Sequence, residues 1–102
     1  MASDKYKIKF HKAVVKDVKR FSFNLQQKIR TKHLPKIIQN PFFFPALRGK
    51  LKNYRKYSFI YRKTDYRIIY KVERDILTVI IIMIGSREEF YKRLIRRIKS
   101  KR

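Results

Sequence analysis

Apolar and polar residues along the first twenty-one positions follow two different periods. The first apolar positions alternate with lysines: Tyr6, Ile8 and Phe10. The next apolar positions recur at helical spacing: Val14, Val15, Val18 and Phe21. Period two is typical of a strand buried on one side, whereas a period of about 3.6 is typical of an amphipathic helix. The chain is therefore predicted to begin with a strand and a helix.

A second helical pattern runs through residues 25–38 and contains Pro35. Because proline removes a backbone donor and crowds the preceding turn, Pro35 is predicted to kink or end this helix. The following segment, Asn40-Pro-Phe-Phe-Phe-Pro-Ala46, is predicted to be a loop. We expect at least two of its three phenylalanines to fill the core beneath a sheet, rather than to form an exposed partner-binding patch.

Three apolar stretches in the second half of the chain predict an antiparallel meander. The first alternates with polar positions: Tyr57, Phe59 and Tyr61. A polar turn at 62–65 leads to a second strand at 66–72, which is the spacing of a hairpin. After a turn at 73–75, residues 76–84 are apolar on both faces and are predicted to form a central strand that ends at Gly85.

The last segment predicts a helix to about Ile98, with Ser86 and Glu89 as a capping box at its start. The fold class is therefore α+β: an N-terminal strand, two helices, a three-stranded antiparallel meander forming one sheet, and a C-terminal helix. Residues 1–102 are expected to form a single domain with a basic C-terminal tail from about residue 92.

The net charge of the chain indicates the kind of partner that we expect it to bind. The chain has 29 Lys and Arg against 7 Asp and Glu, a net charge of +22, which points to a polyanionic partner. Nucleic acid is the first candidate. A membrane surface is the second, because residues 91–98 are amphipathic, although we expect their apolar stripe to pack on the domain. Without a signal-peptide pattern or a spanning apolar run, the protein is expected to be soluble and cytoplasmic.

Several kinds of chemistry are disfavoured by the residue types present. There is no cysteine, only two glycines rule out a glycine-rich phosphate loop, and His11 and His33 fit no metal-ligand spacing. We expect no metal and no cofactor. Arginine, lysine and tyrosine remain, and fixed cations can promote cleavage of RNA by its own 2′-hydroxyl without a metal.

Three motifs carry a resemblance to a known family. They are Leu47-Arg-Gly49, Asp65-Tyr-Arg-Ile-Ile-Tyr70 and Gly85-Ser-Arg-Glu-Glu-Phe-Tyr91. In this order they resemble the signature of the RelE/ParE toxin superfamily of type II toxin-antitoxin systems. The resemblance covers nearly the whole chain and implies a RelE-like microbial RNase fold.

The same resemblance implies roles for three residues. Arg67 matches the strand arginine that contacts the scissile phosphate, Arg87 the arginine near the leaving group, and Tyr91 the aromatic residue that positions the substrate. The structural alternatives are solvated arginines and a tyrosine packed in the core. Five further basic residues are candidates for RNA binding: Arg48, Lys50, Lys56, Arg62 and Lys63.

The chain departs from the RelE pattern at two positions. Where RelE has two lysines on the strand before the turn, this chain has Ser58 and Ile60, so the usual general base is missing. Lys50, Lys56, Arg62 or Lys63 are candidate substitutes, although lysine needs burial or cationic neighbours to lose its proton.

These observations favour an mRNA interferase, a metal-independent endoribonuclease that cuts mRNA at the ribosome. The expected partners are a cognate antitoxin, mRNA and the ribosome with its rRNA. Two alternatives remain: a ParE-like toxin that inhibits DNA gyrase without cleaving RNA, and a catalytically inactive RNA- or ribosome-binding module.

Overall fold

A computed structural model describes residues 5–88 and 90–100 of the chain. Its elements, in order, are β1 (Lys7–Phe10), α1 (Val14–Lys19), α2 (Phe23–Lys28), a π-helical turn (Ile29–His33), α3 (Leu34–Gln39), β2 (Arg55–Tyr61), β3 (Thr64–Glu73), β4 (Thr78–Ser86) and α4 (Phe90–Ser100). Short 3-10 turns lie at Gly49–Leu51 and Arg74–Ile76. The α+β class and the C-terminal helix predicted from the sequence are confirmed.

The sheet differs from the prediction in strand count and order. It contains four strands in the order β1-β4-β3-β2, and β1 pairs with β4 in parallel while the other pairs are antiparallel. The sheet is therefore mixed, and the expectation of a three-stranded antiparallel sheet is wrong. The physical reason is that β4 is apolar on both faces and central, so both of its edges need hydrogen-bonding partners, and β1 supplies the second.

The predicted β2–β3 hairpin is present, and its turn is the two residues Arg62 and Lys63 rather than residues 62–65, because Thr64 and Asp65 already pair with β2. Arg62 and Lys63 both adopt positive φ, at 48° and 68°, which is the conformation of a type I′ turn. This turn matches the right-handed twist of the strands and therefore sets their register. A bulge between Ile69 and Tyr70 then shifts the pairing of β3 with β4 by one residue.

Two hydrophobic clusters cover the two faces of the sheet. The larger lies on the α1–α3 face and includes Leu25, Ile29, Ile37, Tyr57, Phe59, Ile68, Tyr70 and Ile81. The smaller lies on the α4 face and comprises Leu47, Ile69, Ile82, Met83, Phe90 and Leu94. We call the side of the sheet that carries the larger cluster the helix-covered face. The side that carries the smaller cluster is the α4 face, and α4 leaves part of it open.

A buried ion pair joins both layers to the edge of β4. Beyond the end of β1, the Ile84 backbone N–H donates to Asp17 Oδ2 at 3.0 Å. Arg97 Nη1 and Nη2 donate to the two carboxylate oxygens of Asp17 at 2.7 and 2.8 Å, and Nη1 also donates to the Ile82 carbonyl at 2.9 Å. One carboxylate therefore connects α1, β4 and α4.

Pro35 does not end its helix, which continues through Gln39. The preceding turn is π-helical, and the Leu34 N–H donates to the Ile29 carbonyl five residues earlier. This change of spacing places Pro35 in the first turn of α3, where the missing N–H leaves no regular hydrogen bond broken.

The loop phenylalanines were predicted wrongly. Phe43 is 71% exposed and Phe42 is also exposed, so only Phe44 packs against the larger cluster. The physical reason is that Arg55 donates hydrogen bonds to the carbonyls of Phe42 and Phe44 and lies over the Phe42 ring with Arg74. These contacts hold the loop at the rim of the domain rather than beneath the sheet.

One half of the predicted capping box, Ser86, lies in the sheet. Ser86 is the last residue of β4 and pairs with Tyr66, so strand pairing extends past Gly85, and Glu89 lies outside the described residues. Of the apolar stripe predicted for residues 91–98, Leu94 is buried and Ile98 packs against the same cluster, whereas Tyr91 and Ile95 are exposed and Phe90 is buried instead. Residues 92–100 therefore belong to a packed helix. In the part of the chain that the structure describes, no helix is both long and apolar enough to cross a membrane.

We expect Asp17→Asn to lower the free energy of unfolding by about 3 kcal/mol, because it leaves a buried guanidinium without its counter-charge. Denaturant unfolding followed by circular dichroism measures this change. Asp75→Asn, which removes the same charge from an exposed turn, should change stability by less than about 0.5 kcal/mol. Equal effects of the two variants would contradict the role assigned to Asp17.

His33 predicts a loss of stability in acid. The ring is buried, stacks on Phe59 at 3.9 Å between centroids and bonds the Tyr57 hydroxyl at 2.7 Å. Burial, together with the positive charges of Lys32, Lys36 and Lys28, lowers the pKa of His33 from 6.5 to about 4. Protonation therefore favours the unfolded chain, and stability that is present above pH 6.5 is lost as the pH falls toward 4.

The expected loss across this window is about 3 kcal/mol. Thermal unfolding at a series of pH values measures it. His33→Gln should flatten the dependence between pH 6.5 and 4. His11→Gln should retain most of it, although partial burial also lowers the pKa of His11. A dependence unchanged in His33→Gln would assign the effect to other groups.

Candidate nucleic-acid interface

Arg67 projects from the middle of the sheet onto the α4 face. In β3 it lies between Tyr66 and Ile68, which both contact the helix-covered cluster, so alternation points Arg67 to the other side. Its neighbours across the sheet are Ser58 on β2 and Gly85 on β4. The two small neighbours leave space around the guanidinium.

The Arg67 side chain is partly buried, and its Nε is fully buried. Among the described residues this Nε has no hydrogen-bond partner. A buried donor without an acceptor costs about 1–3 kcal/mol of stability, so the fold bears this cost at Arg67.

Arg87 and Tyr91 flank the same end of β4. The Arg87 backbone N–H donates to the Asp65 carbonyl at 3.0 Å, which fastens the segment after β4 to the start of β3, and the Arg87 side chain is exposed. Tyr91 is the second residue of α4, is 40% exposed and stands edge-on to the buried Phe90 ring at 5.7 Å between ring centroids. Phe90, rather than Tyr91, is therefore the core residue here.

A groove of about 470 Å³ brings together three of the predicted residues. Arg48, Lys56 and Tyr91 line it, with Leu47, Leu51, Pro45 and Ala46 forming the remaining wall. Gly49 has a φ of 61° and starts the 3-10 turn that shapes this wall, which explains why a glycine stands there. Two cations and a phenol lining one apolar groove suit a nucleotide chain.

The other basic candidates lie outside the groove. Lys50 is exposed on the adjoining 3-10 turn. Arg62 and Lys63 occupy the tip of the β2–β3 hairpin, where the Arg62 guanidinium lies 5.5 Å from the centre of the Tyr61 ring. They extend the cationic surface rather than enclose a ligand.

The two positions that lack the RelE lysines are open to solvent. Ser58 is exposed beside Arg67, and Ile60 is 74% exposed on the same face of β2. Lys56 is two residues before Ser58 in β2 and therefore lies on the same face. Because Ser58 pairs with Arg67, Lys56 and Arg67 are diagonal neighbours, and strand geometry places their Cα atoms about 7–8 Å apart. Of the four substitute bases considered from the sequence, Lys56 is the one that shares a groove with Tyr91.

The described part of the chain holds no cluster of metal ligands. Within residues 5–88 and 90–100, no three His, Cys, Asp or Glu side chains come together as a metal site.

Two residues near Arg67 were missed by the sequence reasoning. Arg93 reaches back from α4 to β4, where its Nη1 lies 3.5 Å from the position that a Cβ on Gly85 would occupy. Asp17 orients it, with Oδ1 at 3.8 Å from Arg93 Nη2. An acidic residue within an otherwise basic helix was the one available signal, because Arg93 itself is indistinguishable in sequence from the arginines around it.

Comparison with known proteins identifies the family. The model described as "ParE-like toxin of type II bacterial toxin-antitoxin system" matches residues 8–95. The chain belongs to this toxin family. It is thus a toxin of the RelE/ParE superfamily, as the three sequence motifs indicated. No curated protein sequence matches that of the toxin.

Solved RelE structures share the fold. Isolated E. coli RelE is 24% identical, with a TM-score of 0.67 over 91% of this chain and 98% of that one. A mutant of E. coli RelE in the free state is 24% identical, with a TM-score of 0.73 over 92% and 98%. RelBE2 from Mycobacterium tuberculosis, a toxin-antitoxin complex, is 19% identical, with a TM-score of 0.67 over 81% and 92%.

Arg67→Met is expected to raise the free energy of unfolding of the toxin by about 1 kcal/mol, because it removes a buried donor that lacks an acceptor. Arg55→Met serves as the control, since Arg55 donates to two loop carbonyls, and it should lower stability by about 2 kcal/mol. Urea denaturation compares the two. A loss of stability in Arg67→Met would show that its guanidinium is satisfied within the fold.

Proposed function

We propose that the toxin is an mRNA interferase that cuts mRNA in the ribosome by attack of the RNA 2′-hydroxyl on the adjacent phosphate. The observation that carries the proposal is Arg67, a cation on the α4 face between the small residues Ser58 and Gly85, whose buried Nε–H has no acceptor among the described residues. An arginine fork grips phosphate oxygens in two places and keeps its charge, so it suits a transition state that gains negative charge.

In this reaction the 2′-oxygen forms a bond to phosphorus while the bond from phosphorus to the 5′-oxygen breaks. The products are a 2′,3′-cyclic phosphate and a free 5′-hydroxyl. Arg67 would hold the phosphate oxygens, Arg87 would stabilise charge on the leaving oxygen, and Tyr91 would stack on or position a base. Most of the rate gain would come from alignment and fixed positive charge.

The 2′-hydroxyl proton needs an acceptor, and we propose Lys56 for this role in place of the RelE lysines. It lies on the same face as Arg67 and lines the groove with Arg48.

An antitoxin is proposed as the resident partner. RelE toxins occur in solved complexes with RelB, and E. coli RelE also occurs with a RelB peptide. A chain of net charge +22 favours an acidic or amphipathic segment that covers the basic sheet face or displaces α4. The proposed substrate, mRNA, and the proposed partner, the ribosome with its rRNA, also favour a cytoplasmic location.

Inhibition of DNA gyrase is the second candidate, and two observations favour it. The matching family model is ParE-like, and Ser58 and Ile60 stand where RelE has lysines. A toxin of this kind would use the basic face to bind its target without breaking RNA.

We expect expression of the toxin to produce codon-phased mRNA ends, mapped by primer extension. Arg67→Ala and Arg87→Ala should each reduce cleavage by at least about 100-fold, because each removes a cation from the transition state. Arg62→Ala, which removes a charge from the hairpin tip, should reduce it by less than about threefold.

Equal cleavage by Arg67→Ala and the unchanged toxin would contradict the proposed role of Arg67. Intact mRNA together with loss of supercoiling by purified gyrase would favour the gyrase alternative. Intact mRNA and active gyrase would instead support a binding module.

A further inference from the structure

A second polar cavity lies at the opposite edge of the site, where β4 extends beyond β1. It has a volume of about 280 Å³ and adjoins a shallower groove of about 560 Å³. Arg20, Ser86 and Arg93 line both, so these three side chains form the shared wall. Thr64 adds a further hydroxyl to the inner cavity.

The residues of this cavity come from four elements. Arg20 follows the last turn of α1, Thr64 begins β3, Ser86 ends β4, and Arg93 lies in α4. The ion pair of Asp17 with Arg97 holds α1, β4 and α4 together directly beneath. The cavity is thus shaped by the fold rather than by one flexible loop.

The charge balance of the cavity is positive. Asp17 lies on its wall, but its two oxygens already accept three hydrogen bonds, two of them from Arg97. Within the described residues, Arg20 has no carboxylate at ion-pair distance. Glu88, which is exposed, lines the outer groove and opposes an incoming anion.

We propose that Arg20, Arg93, Ser86 and Thr64 form a phosphate-binding subsite for the backbone of an RNA chain. Two guanidinium forks and two hydroxyls supply donors from several directions, which matches the tetrahedral array of phosphate oxygens. A carboxylate has only two oxygens and would be satisfied by one fork, so the donor set favours phosphate over an acidic peptide.

The subsite adjoins the site of the proposed cleavage. Arg93 Nη1 lies close to Gly85, and Gly85 pairs directly with Arg67 across the sheet. A phosphate at the subsite and a phosphate at Arg67 would therefore lie on one continuous RNA strand that crosses the edge of β4. The choice of RNA as the source of the phosphate rests on the proposed function.

The test measures binding of the full-length toxin to a 2′-O-methylated oligoribonucleotide, which cannot be cleaved by 2′-hydroxyl attack. Fluorescence anisotropy at several salt concentrations gives the affinity and its salt dependence. Arg20→Gln should weaken binding about fivefold and reduce the slope of log K against log salt by about 0.7, the value for one phosphate contact on a single strand.

Lys19→Gln is the matched control, because Lys19 is an exposed cation on the neighbouring residue that does not line the cavity. It should change affinity less than twofold. Glu88→Gln should strengthen binding about two- to threefold by removing the opposing charge. Equal losses in Arg20→Gln and Lys19→Gln would overturn the subsite, since they would reflect net charge alone.

Titration with inorganic phosphate provides a second readout. The NMR signals of the Arg20 and Arg93 Nε–H groups should shift with phosphate and less with acetate. Stronger shifts with acetate would assign the cavity to an acidic peptide and overturn the proposal. Because neither assay needs cleavage, a toxin that cuts no mRNA can still confirm the subsite, and a cleaving toxin with unchanged Arg20→Gln binding would refute it.

Discussion

The carboxylate of Asp17 is the interaction on which the arrangement of this toxin depends. A buried charge is costly unless it is paired and hydrogen-bonded. Here it accepts from the Ile84 backbone and twice from Arg97, and in doing so it satisfies the part of the β4 edge that β1 does not reach. The same contacts fix α4 against the sheet. The position of α4, and with it the area of the α4 face that this helix leaves open, therefore depends on one carboxylate in α1.

The two faces of the sheet differ in how much of the apolar core they carry. Its helix-covered face holds the larger apolar cluster, including the buried Tyr70, whose hydroxyl donates to the Pro41 carbonyl. Its other face holds only a small cluster under α4, and beyond that cluster lie Arg67, Ser58 and Lys56. A large core on one side stabilises a fold whose other side carries cations, including a buried donor that lacks a partner.

The ParE-like family and the RelE-like structures share one fold. A shared fold does not determine the molecular target, which depends on individual side chains. The strand β2 is the decisive element. Its exposed face carries Ser58 and Ile60 at the two positions where RelE has lysines. Lys56, on the same face, supplies one cation at the groove. Arg20 and Arg93 add a second basic wall beyond the edge of β4, outside the groove that Arg48 and Lys56 line.

Local pattern alone determined the helices, the hairpin, the central strand and the toxin motifs, because alternation, helical spacing and turn residues act over short stretches of chain. Alternation along β3 likewise places Arg67 on the face opposite Tyr66 and Ile68. Tertiary structure decided the parallel pairing of β1 with β4, the exposed position of Phe43, and the convergence of Asp17, Arg93 and Arg97, which are up to 80 residues apart. Such contacts depend on how elements pack in space, and no local period records which distant side chain will satisfy an open strand edge.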